Sequence, residues 1–219
     1  MRGFSDEERD RIREQLVETG RELLLTYGPE KTTVKDITDP VGIAKPTFYQ
    51  FFDAKGDLYL EIFQRELETY VDRVRSELGE VEDASEGLER FFWCYAEFAE
   101  GNPFIQQMII QGNHQESLGL RNVSSEKLEE VQRGSMAELL PFIEELQAES
   151  DGPLSDLEPF VLLGLMGGSI GLLALHKDEF EEYEAELDGF EVGYYDRLQE
   201  VLITSLARGL TIEQGREGI

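Results

Sequence analysis

Residues Thr32 to Gly56 read TTVKDITDPVGIAKPTFYQFFDAKG, two short helix signals and the start of a third within one compact stretch. Thr33 with Asp36 has the spacing of an N-terminal capping pair, in which a hydroxyl accepts from a free backbone N–H and an acid sits in the positive first turn. Pro40 biases Asp39 away from helical dihedrals and Gly42 tolerates positive φ, so the helix opened by Thr33 is predicted to stop within two turns. The next helix is predicted over Ala44 to Phe52. Pro46 costs nothing in a first turn, and Phe48, Phe51 and Phe52 recur at helical spacing for one buried face. The opposite face carries Lys45, Thr47, Tyr49 and Gln50: a cation, two hydroxyls and an amide, able to hold phosphates and reach base edges in a major groove. No acid stands between Val41 and Phe52. Asp53 is placed to cap a further helix whose first turn carries Lys55, which joins a positive dipole end to a cation. Helix, tight turn and helix with a polar outer face is the helix-turn-helix pattern. For any isolated Lys or Tyr the plainer reading is a side chain that solvates the surface; here the surrounding motif favours DNA contact.

The run V-K-D-I … V-G-I-A-K-P-T-F-Y-Q-F-F-D-A-K-G-D-L resembles the DNA-binding signature of the TetR family of one-component transcriptional regulators, over Leu16 to Ile62. The resemblance implies an all-α chain: an N-terminal three-helix DNA-binding unit with a helix-turn-helix (1–56), joined by a long helix to a C-terminal helical ligand-binding and dimerisation domain (57–219). It also implies that Ala44 to Phe52 is the recognition helix and that Lys45, Thr47, Tyr49 and Lys55 touch DNA. Thr33, Lys35, Pro46 and Gln50 complete the candidate DNA-binding set. Ala44 departs from the family pattern, standing where a serine is frequent, and Pro40 stands where a small helix former is usual. The expected partners are double-stranded DNA, a small-molecule effector and a second copy of the chain, with no membrane, cofactor or metal.

The composition at first opposes this. Forty-seven acids against 20 bases give a net charge of −27, unpromising for a protein that approaches a polyanion. The distribution resolves the conflict. Residues 1–75 hold 12 bases and 16 acids (−4), whereas 76–219 hold 8 bases and 31 acids (−23), and Lys31 to Lys55 carries four Lys against three Asp. Dispersed acids with 14 Arg and 6 Lys point away from a disordered acidic segment. They resemble proteins of halophilic, haloarchaeal-like organisms, whose salt-rich cytoplasm screens self-repulsion; an ordinary acidic cytosolic protein is the alternative. The lone Cys94 excludes an intramolecular disulfide and fits a reducing cytoplasm. MRGFSDEERD lacks the basic and apolar regions of a signal peptide. The uncharged run Phe160 to Leu175 is short for a membrane span and reads as a buried helix.

Outside the motif the chain reads as helices throughout. Ser5 with Glu8 makes a capping box, and Ile12, Leu16, Leu23, Leu24 and Tyr27 follow a helical stripe until Gly28-Pro29. A long helix is predicted over Asp57 to Leu78, an aromatic-dense one over Leu88 to Ala99, a short one over Phe104 to Ile110, and another over Ser124 to Ala148, in which Pro141 is a candidate kink. The last two helices are Leu157 to His176 and Phe190 to Leu210, separated by the acidic stretch Asp178 to Asp188. Phe91, Trp93, Tyr95, Phe98, Phe104, Met108 and Met136 are candidate lining of an effector cavity, with plain core as the alternative. Gly164, Gly168 and Gly171 form a bare face, and Leu198, Leu202 and Ser205 a matching stripe. The resemblance implies a four-helix dimer bundle built from this pair; a close contact inside one subunit is the alternative.

These features favour a ligand-responsive DNA-binding regulator, a repressor released from a palindromic operator by a small apolar or aromatic effector. A helical protein-interaction module without DNA binding is the second reading. An enzyme using the aromatic cavity is the third: His114 and His176 lie far apart, Cys94 has no evident partner, and G-L-M-G-G-S-I-G lacks the strand a dinucleotide site requires.

Overall fold

The structure, a computed structural model, describes residues 4–79, 83–102, 106, 125–186 and 192–212, and every regular element among them is helical. Helix α1 (Asp6–Lys31) opens on the predicted box: Glu8 N donates to Ser5 Oγ at 3.2 Å and Ser5 N to the Glu8 carboxylate at 3.0 Å. At Gly28 φ turns to 76°, a conformation only glycine adopts readily, and the helical course is broken there. Ile12, Leu16 and Leu24 are buried, while Tyr27, assigned to the same stripe, is exposed because it sits at the breaking end. Helix α2 (Val34–Val41), α3 (Lys45–Phe48) and α4 (Lys55–Leu78) follow. Next come α5 (Ala84–Gly101), which starts before the aromatic run because Asp83 caps it, accepting from Glu86 N at 2.8 Å, and α6 (Ser125–Ala148), which runs through Pro141.

After a 3₁₀ turn (Pro153–Asp156), α7 spans Pro159–Leu175 and contains a π-helical turn at Gly167–Gly171. The acidic stretch expected as a separator is itself helical, α8 (Lys177–Glu186), with no buried residue. The last helix, α9 (Tyr194–Thr211), is anchored by Glu184, whose carboxylate accepts from Gly193 N and Tyr195 N at 2.9 and 2.8 Å. The short helix expected over Phe104 to Ile110, and Phe190, lie outside the described residues.

Packing separates the chain into two units, 1–68 with 103–134 and 69–102 with 135–219, so the first extends further along α4 than the motif-based limit at residue 56. Its core is built from Leu16, Ile37, Phe48, Phe52, Leu58 and Ile62. The second unit is centred on Tyr70, Val74, Leu88, Phe91, Phe92, Ile143, Leu162, Ile170 and Ile203. Within it the loop before the 3₁₀ turn meets the end of α9 so closely that a Cβ on Gly152 would stand 2.4 Å from the Thr211 carbonyl carbon.

Helix α7 is not a buried helix as its composition predicted. Leu162, Met166, Ile170 and Ala174 face inward, but Phe160, Val161, Gly164, Gly168 and Leu172 are exposed. No helix among the described residues is by itself long and apolar enough to cross a membrane.

Candidate nucleic-acid interface

The capping box of α2 is complete: Thr33 N donates to Asp36 Oδ2 at 2.8 Å and Asp36 N to Thr33 Oγ1 at 3.3 Å. At the other end Gly42, with φ 75°, donates its N–H to Asp39 O at 3.2 Å, and Ile43 N donates to Thr38 O at 3.2 Å. These bonds close the turn that aims α3. Regular helix there covers only Lys45–Phe48 rather than Ala44 to Phe52. Ala44 offers no capping oxygen and Pro46 no N–H; the chain then continues through single turns, with Gln50 N on Thr47 O at 3.0 Å and Phe51 N on Phe48 O at 2.9 Å. Phe48 and Phe52 are buried, their rings 5.4 Å apart, and Phe51 is half-buried.

On the outside Lys45, Pro46, Tyr49 and Gln50 are exposed and Thr47 is half-buried. Tyr49 keeps 48% of its surface open and is held edge-on against Phe48 at 5.4 Å. Thr33 and Lys35 are exposed, but Thr33 is occupied as the cap and Lys35 pairs with Asp39. Lys55 has turned inward. Its Nζ donates to Thr32 O at 2.6 Å and Pro29 O at 2.7 Å and lies 5.2 Å from the centre of the Tyr59 ring. It thereby fastens the carbonyls left by the break at Gly28. Asp57, not Asp53, accepts from Ala54 N (2.9 Å) at the start of α4, and its second oxygen takes Lys127 Nζ at 2.9 Å.

Two arginines escaped the motif reading. Arg9 and Arg13, one helical turn apart on α1, donate to the backbone carbonyls of Gln50 and Phe51. Only their i, i+4 spacing on the first helix could have drawn notice.

The candidate effector residues among the described ones have different surroundings. Phe91 is fully buried in the core of the second unit. Trp93 faces a different, open depression of about 840 Å³, with Tyr194, Asp196 and Arg197. Tyr95 and Phe98 pack around Tyr70, with the Phe98 and Tyr70 rings stacked at 4.7 Å. Burial lifts the Tyr70 hydroxyl well above its usual pKa and Tyr95 to about 12. The Tyr70 hydroxyl has no hydrogen-bond partner among the described residues. Phe104, Met108 and the side chain of Met136 lie outside the described residues. Cys94 is buried, and burial raises its thiol pKa.

Of the candidate dimer residues, Gly164 and Gly168 are exposed, and a Cβ on either would meet nothing within 4 Å. Ser205 is exposed and Leu198 half-buried, whereas Gly171 is buried and Leu202 packs on the core of its own unit. The inward face of α9 is instead Tyr195, Gln199, Ile203 and Ala207, which packs on α5.

Comparison with known proteins places this geometry. Residues 16–62 match the sequence model for bacterial regulatory proteins of the tetR family. The HTH-type transcriptional activator FasR of Mycolicibacterium smegmatis is 28% identical over 106 residues, 48% of this chain and 48% of that protein. The match therefore spans about half the length of that relative. Among solved structures, the fatty acid degradation regulator FadR of Bacillus halodurans aligns over 100% of both chains with a TM-score of 0.60 at 16% identity. The transcriptional regulator FadR of Bacillus subtilis, in complex with stearoyl-CoA, aligns over 90% of this chain and 98% of its own with a TM-score of 0.62 at 18% identity. The chain thus has a TetR-like, all-α fold, with an N-terminal helix-turn-helix domain and a C-terminal helical domain.

Proposed function

With a tetR-type module at residues 16–62 as the premise, we propose that this chain is a ligand-responsive DNA-binding transcriptional regulator. It acts in the cytoplasm as a homodimer on a palindromic duplex site. The observation that carries the reading is the outward face of α3 and its following turn, where Lys45, Pro46, Tyr49 and Gln50 are exposed above a buried Phe48 and Phe52. Lys45 supplies a phosphate contact, and Thr47, Tyr49 and Gln50 supply uncharged donors and acceptors for phosphates and base edges.

Dimerisation through α7 and α9 is supported by Phe160, Val161, Gly164 and Gly168, which leave a bare apolar face uncovered within the chain. The effector is a small apolar or aromatic molecule whose binding in the second unit releases the DNA. The FadR of Bacillus subtilis crystallised with stearoyl-CoA makes long acyl chains the first class to try. The −23 charge of residues 76–219 favours an effector without a polyphosphate head group. That acid surplus also supports a salt-rich cytoplasm as the working environment.

Selection from a random duplex library, followed by gel shift against the protein's own upstream region, tests the reading. Enrichment of an inverted repeat is the expected result. Failure to enrich any sequence, at low or at molar KCl, would leave the protein-interaction module as the better account.

A further inference from the structure

We propose that Arg13, seconded by Arg9, is a positioning residue that fixes the pitch of the DNA-reading turn from behind, without touching DNA itself. The inference rests on the DNA-binding reading and adds a residue that sets how sharply the site is read.

The turn that follows α3 carries Gln50 and Phe51, whose carbonyls lie beyond the helix and outside its own bonding. Both are taken up by α1: Arg9 Nη2 donates to Gln50 O at 3.3 Å, and Arg13 Nη1 to Phe51 O at 3.2 Å. Each guanidinium also lies over the ring beside its acceptor, Arg9 at 5.2 Å from the Phe51 centroid and Arg13 at 4.6 Å from that of Phe52. The other arm of the Arg13 fork, Nη2, pairs with Glu61 on α4. Glu61 is held in turn by Arg65 at 3.0 Å, and Arg65 by Glu14 of α1 at 2.7 Å.

One planar side chain therefore ties α1, the end of the reading turn and α4 together. The carbonyls that Arg9 and Arg13 grip, on Gln50 and Phe51, follow directly on Tyr49 and Gln50, so any rotation there swings both side chains relative to the groove. The turn closed at Gly42 and Ile43 aims the start of α3, which has no side-chain cap, and the two arginines hold the chain just beyond its far end. A lysine cannot substitute, because a point charge on a flexible stem lacks the fork that serves Phe51 O and Glu61 at once.

The test compares wild type, Arg13→Lys, Arg13→Ala and Glu61→Gln in the full chain. Glu61→Gln leaves Arg13 in place and weakens the group that aims it, together with that group's pair to Arg65. In the free protein, amide exchange at Gln50, Phe51 and Phe52 should quicken about tenfold in Arg13→Ala while the middle of α1 stays protected, and Arg13→Lys should not restore it. With DNA, the preference for the duplex selected by the wild type over a scrambled one of equal length should fall about tenfold, with the salt slope unchanged. Unaltered exchange overturns the proposal whatever DNA does, and so does altered exchange with full discrimination. Equal weakening on both duplexes with a shallower salt slope would make Arg13 a phosphate contact and also overturn it. If the wild type selects no sequence, the regulator reading fails, and loss of its DNA premise overturns the positioning role with it; faster exchange would then mark only a fold contact.

Discussion

At the scale of single residues, the three lysines of the motif have separate fates. Lys35 is paired with Asp39 and Lys55 is spent on two carbonyls, while Lys45 has no ion pair or hydrogen bond among the described residues. Lys45→Ala should therefore weaken operator binding and flatten the slope of log affinity against log salt by about 0.9 for each phosphate that the ammonium neutralises. Tyr49→Phe should weaken binding with the slope unchanged. Titration of a fluorescent operator from low to molar salt separates them, and a slope unaltered by Lys45→Ala would count against the assignment. A second residue-scale expectation concerns Glu100. Burial alone would raise its carboxyl pKa, but Lys177 Nζ at 2.7 Å, Gln199 Nε2 and Tyr195 Oη at 2.9 Å donate to it and together hold it below the ordinary 4.5. A depressed folded-state value stabilises the fold above the unfolded pKa and loses that contribution as pH falls through the folded one. Glu100→Gln should cost about 2 kcal/mol near pH 7, and denaturation from pH 7 downward should show the gap to wild type closing below the ordinary 4.5. A gap independent of pH would refute the role.

At the scale of elements, the open glycine face of α7 carries the association prediction. Gly168→Trp should place a bulky ring where a Cβ now meets nothing, shifting sedimentation from dimer to monomer while the helical signal is kept. A wild type that is monomeric at micromolar concentration in molar KCl would remove the interface. How much of this was legible in the sequence depended on how local the deciding interactions are. The boxes at Ser5 and Thr33, the break at Gly28 and the stop at Gly42 were readable because each is settled within four residues. The course of the chain after α3 was not, since the turn at Gln50 and Phe51 is held by arginines more than thirty-five positions away. Lys55 misled for the same reason: its partners are the carbonyls of a turn that only the fold brings near. In α7 the apolar run revealed a helix but not which side the chain itself covers, and in α9 the sequence stripe through Leu198, Leu202 and Ser205 did not reveal the face the chain itself buries, Tyr195, Gln199, Ile203 and Ala207.

At the scale of the whole molecule, charge governs the conditions under which the chain works. A net −27 acts across a Debye length of about 8 Å at 0.15 M salt and only about 3 Å at 1 M. Raising KCl over that range should stabilise the fold, and a gain of about 3 kcal/mol would appear as a rise of roughly 6 to 12 °C in the unfolding midpoint. A non-ionic osmolyte at equal osmolality should give a smaller rise; an equal one would show that screening is not the cause. The π-helical turn at Gly167–Gly171 bears on the ancestry of the chain as a whole. The inward positions of α7, Leu162, Met166, Ile170 and Ala174, recur every four residues, a spacing that drifts by about 40° per step on a regular α-helix. The wide turn absorbs that drift, as a single inserted residue does when the helix on either side keeps its facing. A one-residue insertion in a shorter ancestral helix would leave such a turn. Alignments with shorter relatives should open their gap between 167 and 171, and a chain trimmed by one residue there should still fold.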